Sequence, residues 1–315
     1  MSVLRPRFVR SALFLATLGV LAIGCRVSGS EAGADSGPDI ETDGNAQYPA
    51  PRTDLVPAAG NDTTFELATW NIENFPKEAS TPRVVADIIA SLDLDMVALQ
   101  EVQDQAAFEE VVARLRGYDG LVSSHTYSDG SYQKVGYIYR SELVSVSGAF
   151  LLFDDNGYEF PRPALKLDVV VKTKPAVNFT AVALHLKAGG GFNDRERREE
   201  AVVLLESFMR NAVDGGGNDR IAVIGDFNDT LDTASVFGPL SGASDRYTIR
   251  TSGNDAAGEV SFVPSSVLLD HIVTTQQFDG AFADGNTIIP RLDMQMTDYE
   301  GQVSDHLPVI LRLPL

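Results

Sequence analysis

The chain has 315 residues, 44 of them acidic against 25 basic, for a formal net charge of -19. That surplus excludes a protein that grips polyanions by bulk charge; any chemistry on phosphate must come from local basic groups or bound metal ions. Its single cysteine, Cys25, excludes an internal disulfide framework.

In chain order, Arg5, Arg7 and Arg10 followed by an uncharged stretch to Gly24 read as a signal peptide over 1–24, too short to span a bilayer. The run Leu21-Ala22-Ile23-Gly24-Cys25 resembles the bacterial lipoprotein signal. That resemblance implies lipid on Cys25, and so a membrane partner and a place in the bacterial cell envelope. Arg26 stands where inner-membrane retention favours Asp, so the outer membrane or extracellular face is expected. Residues 26–63 hold two Arg against seven Asp and Glu and show no apolar periodicity. With the lipidated cysteine they form an expected acidic, disordered tether over 25–63. The folded domain is expected over 64–315.

Within the domain, 65–70 reads as a strand, and Thr81-Pro82 opens a helix with Thr81 as cap. Residues 95–99 form a buried strand, and Asp104 caps the next helix. Four strands follow at 135–139, 143–150, 165–171 and 177–184. A long amphipathic helix runs over 194–211, and further strands lie at 220–224, 268–273 and 308–313. The hairpin-like pairs over 135–184 break strict βαβ alternation, so the pattern predicts an α/β or α+β domain with mixed sheets.

Six short motifs sit at the ends or beginnings of these strands: Trp70-Asn71-Ile72-Glu73, Leu99-Gln100-Glu101-Val102, His185-Leu186-Lys187, Gly225-Asp226-Phe227-Asn228, Leu269-Asp270-His271-Ile272 and Ser304-Asp305-His306. They bring carboxylates, amides and imidazoles to strand ends. Glu101 leaves the core where a hard cation such as Mg²⁺ finds an oxygen ligand. His306 is a natural base near neutral pH. Asp226 and Asn228, two apart, share one side of an extended chain. His271 neighbours Asp270 on the opposite face and reads as structural.

In this order the motifs resemble the endonuclease/exonuclease/phosphatase superfamily, which includes deoxyribonuclease I. The resemblance implies a four-layer αββα sandwich, with two mixed β-sheets packed face to face and helices outside. It also implies metal-dependent phosphoester hydrolysis. Glu101, Asn71 and Asp305 would form the metal site, holding Mg²⁺, with Mn²⁺ or Ca²⁺ as alternatives. His306, oriented by Asp270, would activate water, and Asp226 and Asn228 would place nucleophile and phosphate. His185 would stabilise the transition state or protonate the leaving oxygen. Its usual Glu partner comes from the region near Tyr132-Gln133-Lys134, where this chain offers only Gln133. Arg162 would contact phosphate. Lys187, with Arg195, Arg197 and Arg198, either clamps an anionic substrate or is paired along its helix with Glu196, Glu199 and Glu200.

The first expectation for substrate is nucleic acid, with Tyr127 and Tyr132 on a loop suited to lie along a backbone. The second is a small phosphoester or a phospholipid head group. A non-catalytic binding protein would have lost the metal carboxylate or the base, and both are present. A monomer is expected.

Overall fold

Strand β1 (Thr64–Phe75) is central to one sheet. Phe65, Leu67, Ala68, Trp70 and Ile72 are all fully buried, so both faces of the strand are covered. The computed structural model describes residues 47–315 other than 174, 283 and 284. The signal segment, Cys25 and the tether up to residue 46 lie outside the described residues.

Helix α1 (Thr81–Leu92) begins at the expected cap position itself, one residue earlier than the pattern predicts. Ser80 is the N-cap and Thr81 the first helical residue, with Pro82 in the first turn. The Thr81 hydroxyl donates instead to the carbonyl of Gln302 at 2.9 Å. Then come β2 (Met96–Val102) and α2 (Gln105–Arg114), capped as expected by Asp104, whose side chain accepts from the Ala107 N–H. Strands β3 (Tyr118–Val122), β4 (Lys134–Arg140), β5 (Val144–Leu152), β6 (Ala164–Val171) and β7 (Val177–His185) follow. Helix α3 (Phe192–Gly215) is longer at both ends than its apolar pattern suggested. The remaining strands are β8 (Ile221–Asp226), β9 (Tyr247–Ile249), β10 (Asp270–Thr275), β11 (Asn286–Ile288) and β12 (Val309–Pro314).

The strands form two six-stranded sheets, in the orders β11-β12-β1-β2-β4-β3 and β5-β6-β7-β8-β10-β9. Each is antiparallel except for one central parallel pair, β1 with β2 and β7 with β8. Alternation decides which way each residue faces. In β7 and β8, Phe179, Ala181, Ala183, Ala222 and Ile224 join the core between the sheets, while Val182, Leu184, Ile221 and Val223 turn outward onto α3 through Ala201, Val202 and Leu205. Phe65 of one sheet meets Phe179 of the other edge to face, ring centroids 6.3 Å apart. Two mixed sheets face to face with flanking helices make up the four-layer sandwich. Among the described residues, no helix is long and apolar enough to cross a membrane.

The expected boundary at residue 64 needs correction. Residues 52–60 form a strap against α1. Val56 and Ala59 are buried in the main core. The Arg52 N–H donates to Asp87 Oδ1 at 2.9 Å, the Leu55 N–H to Ser91 Oγ at 3.1 Å, and the Ala59 N–H to the Leu92 carbonyl at 3.0 Å. Two buried side chains leave no periodic signal, because the strap is held mainly by backbone hydrogen bonds.

This topology explains where the motifs gather. The parallel strands β1, β2, β7 and β8 end at the same edge at which their antiparallel neighbours β12 and β10 begin. Thr69 pairs with Val309, and Asp270 and His185 both pair with Asp226. All six motifs therefore meet at one rim of the sandwich, three from each sheet.

Candidate active site

The rim is built from unusual backbone. Gly225 has φ 156°, and a Cβ there would stand 2.1 Å from the Leu184 carbonyl oxygen, so only glycine lets β7 and β8 approach this closely. Glu101 and Asn228 adopt left-handed φ values of 64° and 54°, and Glu73 and Asn74 values of 38° and 46°. Non-glycine residues in this region are uncommon and cluster where a site dictates side-chain direction. The turn at Glu101 aims its carboxylate across the rim. That at Asn228 lets its N–H donate to Asp226 Oδ1 at 2.8 Å and its Nδ2 to Asp226 Oδ2 at 3.1 Å.

His306 and Asp270 form the closest pair, with Nδ1 of the imidazole 2.7 Å from Oδ2 of the carboxylate. The backbone carbonyl of His306 accepts from Trp70 Nε1 at 3.2 Å and from the Tyr299 hydroxyl at 2.6 Å, which fixes the ring's origin. The Nε2 edge faces Asp226 Oδ2 and Asp305 Oδ1, each at 3.9 Å. Burial alone pulls the His306 pKa down, but Asp270, Asp226 and Asp305 together outweigh it and raise it to about 10. The segment Ser261-Phe262 supports this pair and had no motif to announce it. Ser261 Oγ donates to Asp270 Oδ2 at 2.7 Å, and the Phe262 ring lies 4.9 Å from the imidazole centroid. His271 points away, bonded to Thr251 Oγ1 and the Asp229 carbonyl, and is structural as expected.

Asn71 stands beside the carboxylates with its amide nitrogen turned toward them. Its Nδ2 donates to Glu101 Oε1 at 3.2 Å and Asp226 Oδ2 at 3.1 Å, while its Oδ1 accepts the Glu73 N–H at 3.0 Å. It is a spacer between two carboxylates. His185 is fully enclosed, with Nε2 3.5 Å from Asp226 Oδ2 and 3.7 Å from Glu101 Oε1. Its Nδ1 is buried with no hydrogen-bond partner among the described residues. Burial first, then Arg162 and His306, push its pKa well below 6.5. Burial thus favours the uncharged imidazole, which can donate one hydrogen bond.

Arg162 is buried, not a surface residue of its Pro-rich loop. Its Nη1 donates to Gln133 Oε1 and its Nη2 to the Leu186 carbonyl, both at 2.8 Å, and its Nε has no partner among the described residues. Of the two alternatives for Lys187 the structure shows the paired one: its Nζ is held by Asp194 Oδ1 at 3.1 Å and the Ala188 carbonyl at 2.6 Å. Arg198 likewise is spent on Asp229 Oδ2 at 2.8 Å, and Arg197 on the Tyr158 carbonyl. The basic run is mostly paired, though with partners outside the helical glutamates expected from i,i+4 spacing.

Residues 68–306 match the Endonuclease/Exonuclease/phosphatase family. The chain belongs to this family. Its fold is similar to that of the endonuclease/exonuclease/phosphatase from Bacteroides vulgatus, at 21% identity and TM-score 0.60, covering 80% of this chain and 99% of that one. It is also similar to D. rerio TDP2 complexed with single strand DNA product, at 14% identity and TM-score 0.61, covering 81% and 100%. A third similar structure is the mannosyl-6-phosphatase of Bacteroides thetaiotaomicron VPI-5482, at 16% identity and TM-score 0.59, covering 80% and 100%. No curated protein matches the chain.

Members of the family are phosphoester hydrolases that generally use divalent metals. The residues here fit such an ion. Glu101, Asp226, Asp270 and Asp305 crowd a rim that also holds Arg162, His306 and a Lys77 paired with Glu73. Burial, then the Asp270 charge, raises the Asp226 pKa to about 7. Burial also pushes the Asp305 carboxyl up to about 6. The site thus holds more carboxylate than its cations neutralise, on oxygen donors suited to a hard ion. Ligand atoms of Asp226, Asp270 and His306 lie within 4.8 Å of one another. Asp270 and His306 are already bonded to each other there, so that trio reads as a proton-handling group. Glu101 and Asp305 are the carboxylates left to hold a metal.

Proposed function

We propose that this family member is an extracytoplasmic nuclease that hydrolyses the phosphodiester backbone of DNA or RNA with Mg²⁺, tethered to the cell envelope through lipid on Cys25. The observation that carries the reading is the Asp270–His306 pair, 2.7 Å apart, at the same rim as a buried arginine with no carboxylate partner among the described residues. His306 takes the proton of the attacking water through Nε2, and Asp270 holds the tautomer and the resulting imidazolium. Asp226 and Asn228, locked together by two hydrogen bonds, place the water and the phosphate. Arg162 and the neutral His185 donate to oxygens that gain charge in the transition state. Glu101 and Asp305 would hold the metal, which when bound polarises the phosphoryl oxygens. A similar fold carrying a single-stranded DNA product supports the choice of substrate.

A second reading is a phosphatase or a phospholipid or small-molecule phosphodiesterase. It is favoured by the similarity to a mannosyl-6-phosphatase and by Phe192, 79% exposed where α3 follows the loop after His185. Supercoiled plasmid incubated with the purified chain and Mg²⁺ separates the two. Nicking that is lost with EDTA and in Glu101→Ala supports the nuclease. Intact plasmid, together with metal-dependent turnover of a phosphate monoester or phospholipid, sinks it in favour of the second reading.

A further inference from the structure

Gln133 stands between the two charged poles of the rim. Its Oε1 accepts from Arg162 Nη1 at 2.8 Å. Its Nε2 donates to Asn74 Oδ1 at 3.0 Å and reaches Glu101 Oε2 at 3.4 Å. Asn74 closes the loop, its backbone N–H donating to the same Glu101 oxygen at 2.8 Å. One amide therefore braces a guanidinium with its acceptor end and a carboxylate with its donor end.

We propose that Gln133 is a positioning residue whose neutrality leaves the charge of Arg162 available to a substrate phosphate while bracing Glu101. The proposal rests on the phosphoester reading given above. A carboxylate here would pair with Arg162 and satisfy it before substrate arrived, since a guanidinium–carboxylate pair is the strongest match that side chain has. It would also face Glu101 Oε2 and Asn74 Oδ1, two acceptors, with no proton to offer either. The amide meets all of these neighbours with the correct polarity. Burying a guanidinium on neutral acceptors alone is costly, and the cost is recovered when an anion binds. The unpartnered Arg162 Nε is the mark of that arrangement. It also accounts for the bare Nδ1 of His185, because no carboxylate comes from this loop to meet it.

The test is calorimetric binding of inorganic phosphate to the full chain in EDTA, with Mg²⁺ binding titrated separately. The proteins are wild type, Gln133→Glu, Gln133→Asp, Gln133→Met and Arg162→Met. An added carboxylate should weaken phosphate binding about tenfold or more and tighten Mg²⁺ binding, two shifts of opposite sign that a folding defect would not produce. Gln133→Met, neutral but unable to accept, should stay within about threefold of wild type for phosphate, the scale of one hydrogen bond. Gln133→Asp carries the same charge on a shorter arm and decides the matter if Gln133→Glu fails to fold. Phosphate binding unchanged by the carboxylate, or weakened equally by Met, overturns the proposal while leaving the phosphoester reading intact. No phosphate binding by wild type, or full binding by Arg162→Met, also overturns the proposal, while the phosphoester reading stands or falls separately on the Mg²⁺-dependent turnover assays.

Discussion

Ser261 donates its hydroxyl to Oδ2 of Asp270 at 2.7 Å, and that oxygen is the one that receives the imidazole N–H of His306. The Ser261 oxygen in turn accepts the backbone N–H groups of Leu269 at 3.0 Å and Asp270 at 3.1 Å. The carboxylate bonded to His306 is therefore itself oriented, by a residue one hydrogen bond further from the imidazole. Ser261→Ala should lower kcat about fivefold, the worth of roughly 1 kcal/mol, with KM unchanged. Ser261→Thr should restore most of it. Steady-state kinetics of the two variants check this, and an Ala variant with wild-type kcat would remove Ser261 from the mechanism.

The charge on His306 should report metal binding. In the structure its proton is held by Asp270, Asp226 and Asp305 against the pull of burial, with a pKa of about 10. A divalent ion taken up by the neighbouring carboxylates removes part of that hold, so the pKa must fall. NMR titration of the imidazole should show a drop of about two units on adding saturating Mg²⁺, and none in Glu101→Gln. Without metal the chain should therefore show no turnover at neutral pH, which assays in EDTA check.

Far from the rim, Glu66 and Asp95 form a buried acidic pair, with the Glu66 N–H donating to Asp95 Oδ2 at 3.1 Å. Burial, opposed by Thr64 and reinforced by Asp95, raises the Glu66 pKa from 4.5 to about 8. A folded pKa above the unfolded one means that stability is full below about pH 4.5 and is lost as pH rises through about 8. Thermal melts from pH 5 to 9 should show a decline on the order of 2 kcal/mol. Glu66→Gln should flatten it; an equally steep decline in that variant would assign the effect elsewhere.

Removing the strap should cost stability without touching the chemistry. A chain starting at residue 64 loses buried Val56 and Ala59 and leaves Asp87 and Ser91 without their backbone partners. The expected loss is about 2–4 kcal/mol, several degrees in Tm, relative to a chain starting at residue 47. Equal melting temperatures would show the strap to be adventitious.

Much of this architecture was legible because strand ends carry the chemistry. Runs such as Met96 to Leu99 and Ile221 to Ile224 announce buried strands, and two positions past each run stands a candidate site carboxylate, Glu101 or Asp226. The edge strands β3, β9 and β11 escaped notice because they are short or polar and take their pairing from neighbours. Ser261 escaped because a lone serine has no pattern; its meaning lies in one contact with Asp270. The pairing of Lys187 with Asp194 escaped because Gly189, at φ 113°, bends the intervening loop back on α3. Asn71 was correctly brought to the rim, but which end of its amide faces the carboxylates depends on the Glu73 N–H, a detail of the turn.

The insertion of β12 between β11 and β1 has a consequence for the order of events during synthesis. The second sheet draws its strands from one continuous stretch, residues 144–275, and can be completed while the ribosome is still at work. The first sheet cannot, because its gap waits for the strand made last, and His306 lies just ahead of that strand. A nascent chain thus carries Glu101, Asp226 and Arg162 long before it has a base. On the proposed role of His306, such a chain stays without its general base until residues 304–306 and the strand behind them are in place.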